Sequence, residues 1–216
     1  MMTSKNLLML RAEIHVHSTF SDGKDSVRKI VDKAVELKLD ILSITDHDTV
    51  AGSLSALEYI KDENIPVEVI PGVEVTTSDG HLLIYGVKNE IDRGMSLKET
   101  VEEAKRHNGV CIIPHPFQVE RKGVLRVSLF KWVDGIEVFN AKYFVGLFNF
   151  LSKRCAEYYR MAVTAGSDAH CLNEMGHGIT LLKNDFYRSI LNKTTEIECR
   201  KIPALLWFKC SVRRKA

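Results

Sequence analysis

The 216-residue chain predicts an α/β fold whose mostly parallel sheet closes into a barrel. Three observations lead there. Apolar or alternating runs begin near residues 12, 41, 67, 82, 110, 134 and 161, giving seven strands. Stretches of helical periodicity separate most of them, the alternation that produces parallel sheets. Histidines and carboxylates collect at or just beyond the C-terminal ends of different runs, and a barrel gathers those ends into one site.

In Ala12-Glu13-Ile14-His15-Val16-His17 apolar residues alternate with polar ones, a period of two that puts both histidines on one face of a strand. A turn at Ser21-Asp22-Gly23 follows. Val27, Ile30, Val31, Ala34 and Val35 then recur at helical spacing as far as Lys38. Asp40 to Thr45 reads as the next strand, Asp46-His47-Asp48 as its loop, and Ser53 to Lys61 as a second helix. Val67 to Val75 is a strand interrupted at Pro71-Gly72, and Leu82 to Val87 is another. Lys98 to His107 is helical and stops at Asn108-Gly109, where glycine suits a C-terminal cap. Val110 to Ile113 is a short buried strand running into Pro114-His115-Pro116. Asp134 to Asn140 is a strand, Phe148 to Arg160 a helix, and Met161 to Ala165 a strand ending in Gly166-Ser167-Asp168-Ala169-His170. The pattern weakens from about Asn184, so residues 12–182 are read as the barrel and 183–216 as a basic appendage or tail. Arg200 to Ala216 holds six basic residues and no acid, with Leu205-Leu206-Trp207-Phe208 available for packing.

Composition narrows the function. Thirty basic residues against 28 acidic leave +2, too little for a general polyanion binder, so any phosphate contact must come from local charge. No run of about 18 apolar residues is available to cross a membrane. The stretch Met1 to Arg11 is too brief for a secretory leader. Cys111, Cys155, Cys171, Cys199 and Cys210 are widely spaced, which favours reduced thiols and a cytoplasmic location over a disulfide framework.

Zinc, manganese and iron take imidazole nitrogen and carboxylate oxygen, and neighbouring ions share a bridging carboxylate. The chain offers that mixture in His15, His17, Asp22, His47, Glu74, His81, His115, Asp168 and His170. So many imidazoles and carboxylates at the mouths of several strands leave charge and lone pairs uncompensated unless cations bind. His107 and His177 lack such company and read as packing or hydrogen-bonding residues. Arg121, Lys122 and Lys142 are candidate phosphate contacts.

His15-Val16-His17-Ser18-Thr19-Phe20-Ser21-Asp22-Gly23, Ile44-Thr45-Asp46-His47-Asp48, Pro71-Gly72-Val73-Glu74, Pro114-His115-Pro116 and Gly166-Ser167-Asp168-Ala169-His170 resemble, in order, the motifs of the PHP family, named for polymerase and histidinol phosphatase. The resemblance spans about residues 12–182. It implies a distorted seven-stranded β/α barrel holding two or three divalent ions, usually zinc, manganese or iron, in a phosphoesterase. By motif, His15, His17, Glu74 and Asp168 would hold one ion. Glu74 would bridge to a second held by His115 and His81, and Asp22, His47 and His170 would serve a third. Glu74, His81 and Asp168 become the expected catalytic residues, with His81 able to protonate a departing alkoxide. The expected substrate is a phosphorylated small molecule, a nucleotide or a short single-stranded oligonucleotide, hydrolysed by water whose pKa the cations lower. Two alternatives remain at this point: a non-catalytic module like the related ribonuclease P subunit, and a metal hydrolase of the amidohydrolase kind, which also uses an HxH pair.

Overall fold

The computed structural model describes residues 9–143 and 146–203. Its ten strands are β1 (Leu10–Val16), β2 (Ile41–Ile44), β3 (Glu68–Val69), β4 (Gly72–Thr77), β5 (Gly80–Tyr85), β6 (Val110–Ile113), β7 (Gly135–Asn140), β8 (Ala162–Gly166), β9 (Gly178–Leu182) and β10 (Thr195–Cys199). The helices are α1 (Val27–Glu36), α2 (Ala51–Asp62), α3 (Leu97–Arg106), α4 (Leu147–Tyr159) and α5 (Phe186–Leu191).

The strands form two five-stranded sheets, ordered β10-β9-β1-β2-β3 and β4-β5-β6-β7-β8. This corrects the expectation of seven strands in one closed barrel: the fold is mixed α/β, and among the described residues no ladder closes a ring. Physical causes are visible at Pro71 and Gly72. Proline has no N–H to extend a ladder, so the predicted run Val67 to Val75 divides. Its first part pairs parallel with β2, while its second pairs antiparallel with β5 in the other sheet. A Cβ on Gly72 would lie 2.3 Å from the Ser43 hydroxyl, so glycine lets β4 leave along the flank of β2. The sheets meet through single bridges, Val16 with Ala169 and His47 with Glu74, and through the buried Tyr85 hydroxyl, which donates to the Ile14 carbonyl at 2.8 Å.

The four predicted helices form within two residues of their expected bounds. Val27, Ile30, Val31 and Ala34 bury one face of α1 against β1, β2 and α2. A capping box starts α3: the Ser96 hydroxyl accepts from the Glu99 amide, and the Glu99 carboxylate accepts from the Ser96 amide. Residues beyond 183 do not trail free at first. Phe186 and Ile190 of α5 are fully buried beside Tyr85, Ala12 and Ile14, and β10 pairs with β9. Leu205 to Phe208 and most of the basic segment lie outside the described residues. Cys111, Cys155 and Cys199 are free thiols. Cys171 is disulfide-bonded, against the expectation of thiols throughout.

Candidate metal centre

All nine residues expected to bind metal converge at one end of the sheets. His15 is the penultimate residue of β1, His17 and Asp22 follow that strand, and His47 follows β2. Glu74 lies in β4, His81 is the second residue of the antiparallel β5, His115 follows β6, and Asp168 and His170 follow β8. The simple period-two reading of β1 is modified by a register shift against β2 between Glu13 and Val16. Such a bulge re-aims side chains: Glu13 accepts from the Gly176 amide at 2.6 Å, whereas His15 meets Glu74 and Glu137.

Glu74 is the hub. Five imidazoles surround its buried carboxylate: His81 Nδ1 at 2.9 Å, His115 Nε2 at 3.0 Å, His17 Nε2 at 3.2 Å, His15 Nε2 at 3.4 Å and His47 Nδ1 at 3.5 Å. Four groups could each hold a cation: His17, Asp22, His47 and His170; His15, Glu74 and His115; His15, His17 and Asp168; and His47, Glu74 and His81. The donors fit divalent metals on two grounds. Buried polar atoms are normally hydrogen-bonded, yet both ring nitrogens of His17 and of His81, and Nδ1 of His47, have no such bond. Two ligands of one tetrahedral zinc stand about 3.3 Å apart, from bond lengths of about 2.0–2.1 Å, and the nitrogen–oxygen separations at His15, His17 and His47 fall around that value.

Comparison with known proteins identifies the family. The PHP domain model matches residues 13–182. The chain belongs to the PHP domain family. An uncharacterised protein of Methanocaldococcus jannaschii is 29% identical over 151 residues, 65% of this chain and 87% of that one. The 5′-3′ exoribonuclease Rnm of Escherichia coli is 33% identical over 98 residues, which cover 44% of this chain and only 33% of the exoribonuclease. Among solved structures, a two-domain protein from Bacteroides vulgatus containing a predicted PHP-like metal-dependent phosphoesterase superposes with a TM-score of 0.76. Its identity is 18%, over 89% of this chain and 65% of that one.

Around the cluster a further set of buried groups holds the candidate donors in place. Glu137 accepts from His15 Nδ1 at 2.9 Å, from the His115 amide at 2.8 Å and from the Asn140 side chain at 3.0 Å. With Nδ1–H committed to Glu137, Nε2 is the His15 nitrogen that faces Glu74 and is left for a cation. Asp46 accepts from the Ser18 amide and hydroxyl and from the Ser21 hydroxyl, fixing the loop that carries Asp22. Glu174 accepts from the His170 amide at 2.8 Å. The sequence reading did not single out Glu137, Asn140 or Glu174. A carboxylate inside the apolar strand Gly135-Ile136-Glu137-Val138 is the feature that marks Glu137.

Charge within the site is set by competition between burial and neighbours. Burial pushes Glu74 up, but His15, His115 and His17 outweigh it and hold the carboxyl well below its usual range. Asp168 is likewise held low, burial being overcome first by Arg121, then by Lys142 and His15. Burial, joined by His170, lowers His17 to about 4, so this imidazole is neutral at pH 7 and able to bind metal.

A cavity of about 420 Å³ opens onto the cluster. Arg121 and Lys122, the candidate phosphate contacts, line it together with Asp48, Thr76 and Glu120. Arg121 reaches across to Asp168. Lys142 departs from its expected role as a phosphate contact: it is buried behind His170 and Asp168 and is not part of the cavity wall. His107 pairs with Glu103 near the surface, and His177 Nδ1 faces the Glu174 carbonyl, so both stay outside the cluster.

Proposed function

We propose that this PHP chain is a metal-dependent phosphoesterase that hydrolyses an ester of a small phosphorylated molecule, a nucleotide or the end of a short oligonucleotide. One observation carries the reading: a buried carboxylate ringed by five imidazoles at the floor of a cavity whose wall also presents Arg121 and Lys122. The exoribonuclease relative supports the reaction class.

His15, His17, Glu74 and Asp168 would hold one divalent ion, Glu74 with His81 and His115 a second, and Asp22, His47 and His170 with His17 a third, as zinc, manganese or iron. Bound there, the ions supply a lower pKa for water and neutralisation of phosphoryl charge. Arg121 offers a planar fork of N–H donors suited to phosphate, and Lys122 a point charge beside it. His81 lines the cavity with ring nitrogens that carry no hydrogen bond, and in place of holding the second ion its protonated form would give a proton to the leaving oxygen. Glu74 and Asp168 keep the charge on their carboxylates and so anchor the cluster across neutral pH.

The test is a panel of phosphomonoesters and a short 5′-phosphorylated single-stranded RNA, incubated with manganese-loaded protein beside Glu74→Ala and His115→Ala. Activity is expected to fall at least about 100-fold in both variants, since even supporting residues cost about 10–100-fold. Inorganic phosphate as product would make the enzyme a phosphatase, and mononucleotides an exonuclease. Equal turnover in wild type and both variants would overturn the reading.

A further inference from the structure

We infer that Lys142 latches His170 in the form that cannot bind metal, making the group of His17, Asp22, His47 and His170 a conditional site that holds its ion more weakly than the two groups built on Glu74 do. This rests on the cation-binding reading of the cluster, though not on the identity of the substrate.

The Lys142 Nζ is buried 2.7 Å from His170 Nδ1, 3.2 Å from Glu174 Oε2 and 3.9 Å from Asp168 Oδ1. An ammonium only donates hydrogen bonds, so its contact with Nδ1 requires that nitrogen to accept. The same Nδ1 lies 2.8 Å from the Asp168 carbonyl, which only accepts and so requires Nδ1 to carry a proton. One nitrogen cannot meet both demands at once.

When Lys142 is engaged, neutral His170 carries its proton on Nε2 and donates to Asp22 Oδ2, 3.1 Å away. When Nδ1–H turns to the Asp168 carbonyl, the Nε2 lone pair is free for a cation. Glu174, Lys142, His170 and Asp22 thus form a chain that is satisfied without metal, and filling the site means breaking it. The nearby charges point the same way: a buried ammonium stands behind His170, whereas the ion-pair partners of Glu74 are all imidazoles among the described residues.

Metal-free wild type and Lys142→Met are titrated with manganese alone by calorimetry, and retained metal is counted by elemental analysis after dialysis. Lys142→Met is expected to retain one more ion, or to bind its weakest ion at least about tenfold more tightly, because a unit charge at contact distance has gone. Lys142→Met/Glu174→Gln, which neutralises both partners, should behave alike and covers the case in which an unpaired Glu174 unsettles the fold. Independently, imidazole ¹⁵N resonances of the metal-free protein, with His170 assigned through His170→Gln, should show Nε2–H in wild type and Nδ1–H in Lys142→Met. Unchanged metal affinity, or Nδ1–H already in wild type, overturns the latch. Extra metal retained by Lys142→Met in a protein that cleaves no phosphate ester leaves the latch standing and removes the phosphoesterase reading. Metal bound by neither protein removes both.

Discussion

Glu137 sits behind the cluster, yet three of its donors belong to or adjoin the site: His15 Nδ1, the His115 amide and Asn140. Glu137→Gln should weaken metal binding about 10–100-fold, the usual cost of disturbing a partner that orients a ligand, and a metal titration would measure it. Glu13 gives a second residue-level expectation. Burial raises its carboxyl from 4.5 to about 7, against hydrogen bonds from Gly176 and Ser167 that pull the other way. A folded-state pKa above the unfolded one stabilises fully below about pH 4.5, and the benefit disappears as pH rises through about 7. Metal-free protein should therefore lose about 3 kcal/mol from this group over that interval, and Glu13→Gln should flatten the slope in urea unfolding followed from pH 4.5 to 8. The nine metal-type residues were legible in the chain because their spacing is itself chemical: HxH, DxH and a glutamate after Pro-Gly announce donors whatever surrounds them. Glu137, Glu174 and Lys142 were not, because their roles depend on residues 122, 4 and 28 positions away.

At the scale of elements, helices were the most legible, since α1 and α3 bury one regularly spaced face and that spacing is local. Strand order was not. Whether Val67 to Val75 continues one sheet or changes to another depends on what Gly72 can approach, and Ser43 is far away in sequence. The antiparallel β4–β5 hairpin was equally hidden, although it is what brings His81 back beside Glu74. Two substitutions examine these junctions. Tyr85→Phe removes the buried hydroxyl that donates from β5 to the Ile14 carbonyl in the opposite sheet, and should cost about 1–3 kcal/mol by leaving that acceptor without its partner, measured by urea denaturation. Gly52→Ala would place a Cβ 2.0 Å from Asp46 Oδ2. It should destabilise by about 1–3 kcal/mol as an overpacked site. It should also loosen the loop from Ser18 to Asp22, seen as faster amide exchange there.

For the whole molecule, the sequence conveyed an α/β fold with its polar residues at one end, but not that two sheets share the work of the expected barrel. Bound metal should raise the melting temperature strongly: each site saturated at 100 times its dissociation constant adds about 2.7 kcal/mol, and calorimetric scans with and without manganese would record it. The division into two sheets also bears on kinetics. Every one of the four candidate groups draws donors from both sides, His15, His17, Asp22 and His47 lying in or after strands of one sheet and Glu74, His81, His115, Asp168 and His170 in or after those of the other. Neither sheet alone completes any of the four groups, so the full donor sets form only after the two have docked. If docking follows the rate-limiting barrier, manganese will leave the refolding rate nearly unchanged and slow unfolding, placing the gain in lifetime rather than in speed of assembly. Stopped-flow refolding and unfolding, each with manganese and with chelator, would show which limb of the chevron moves.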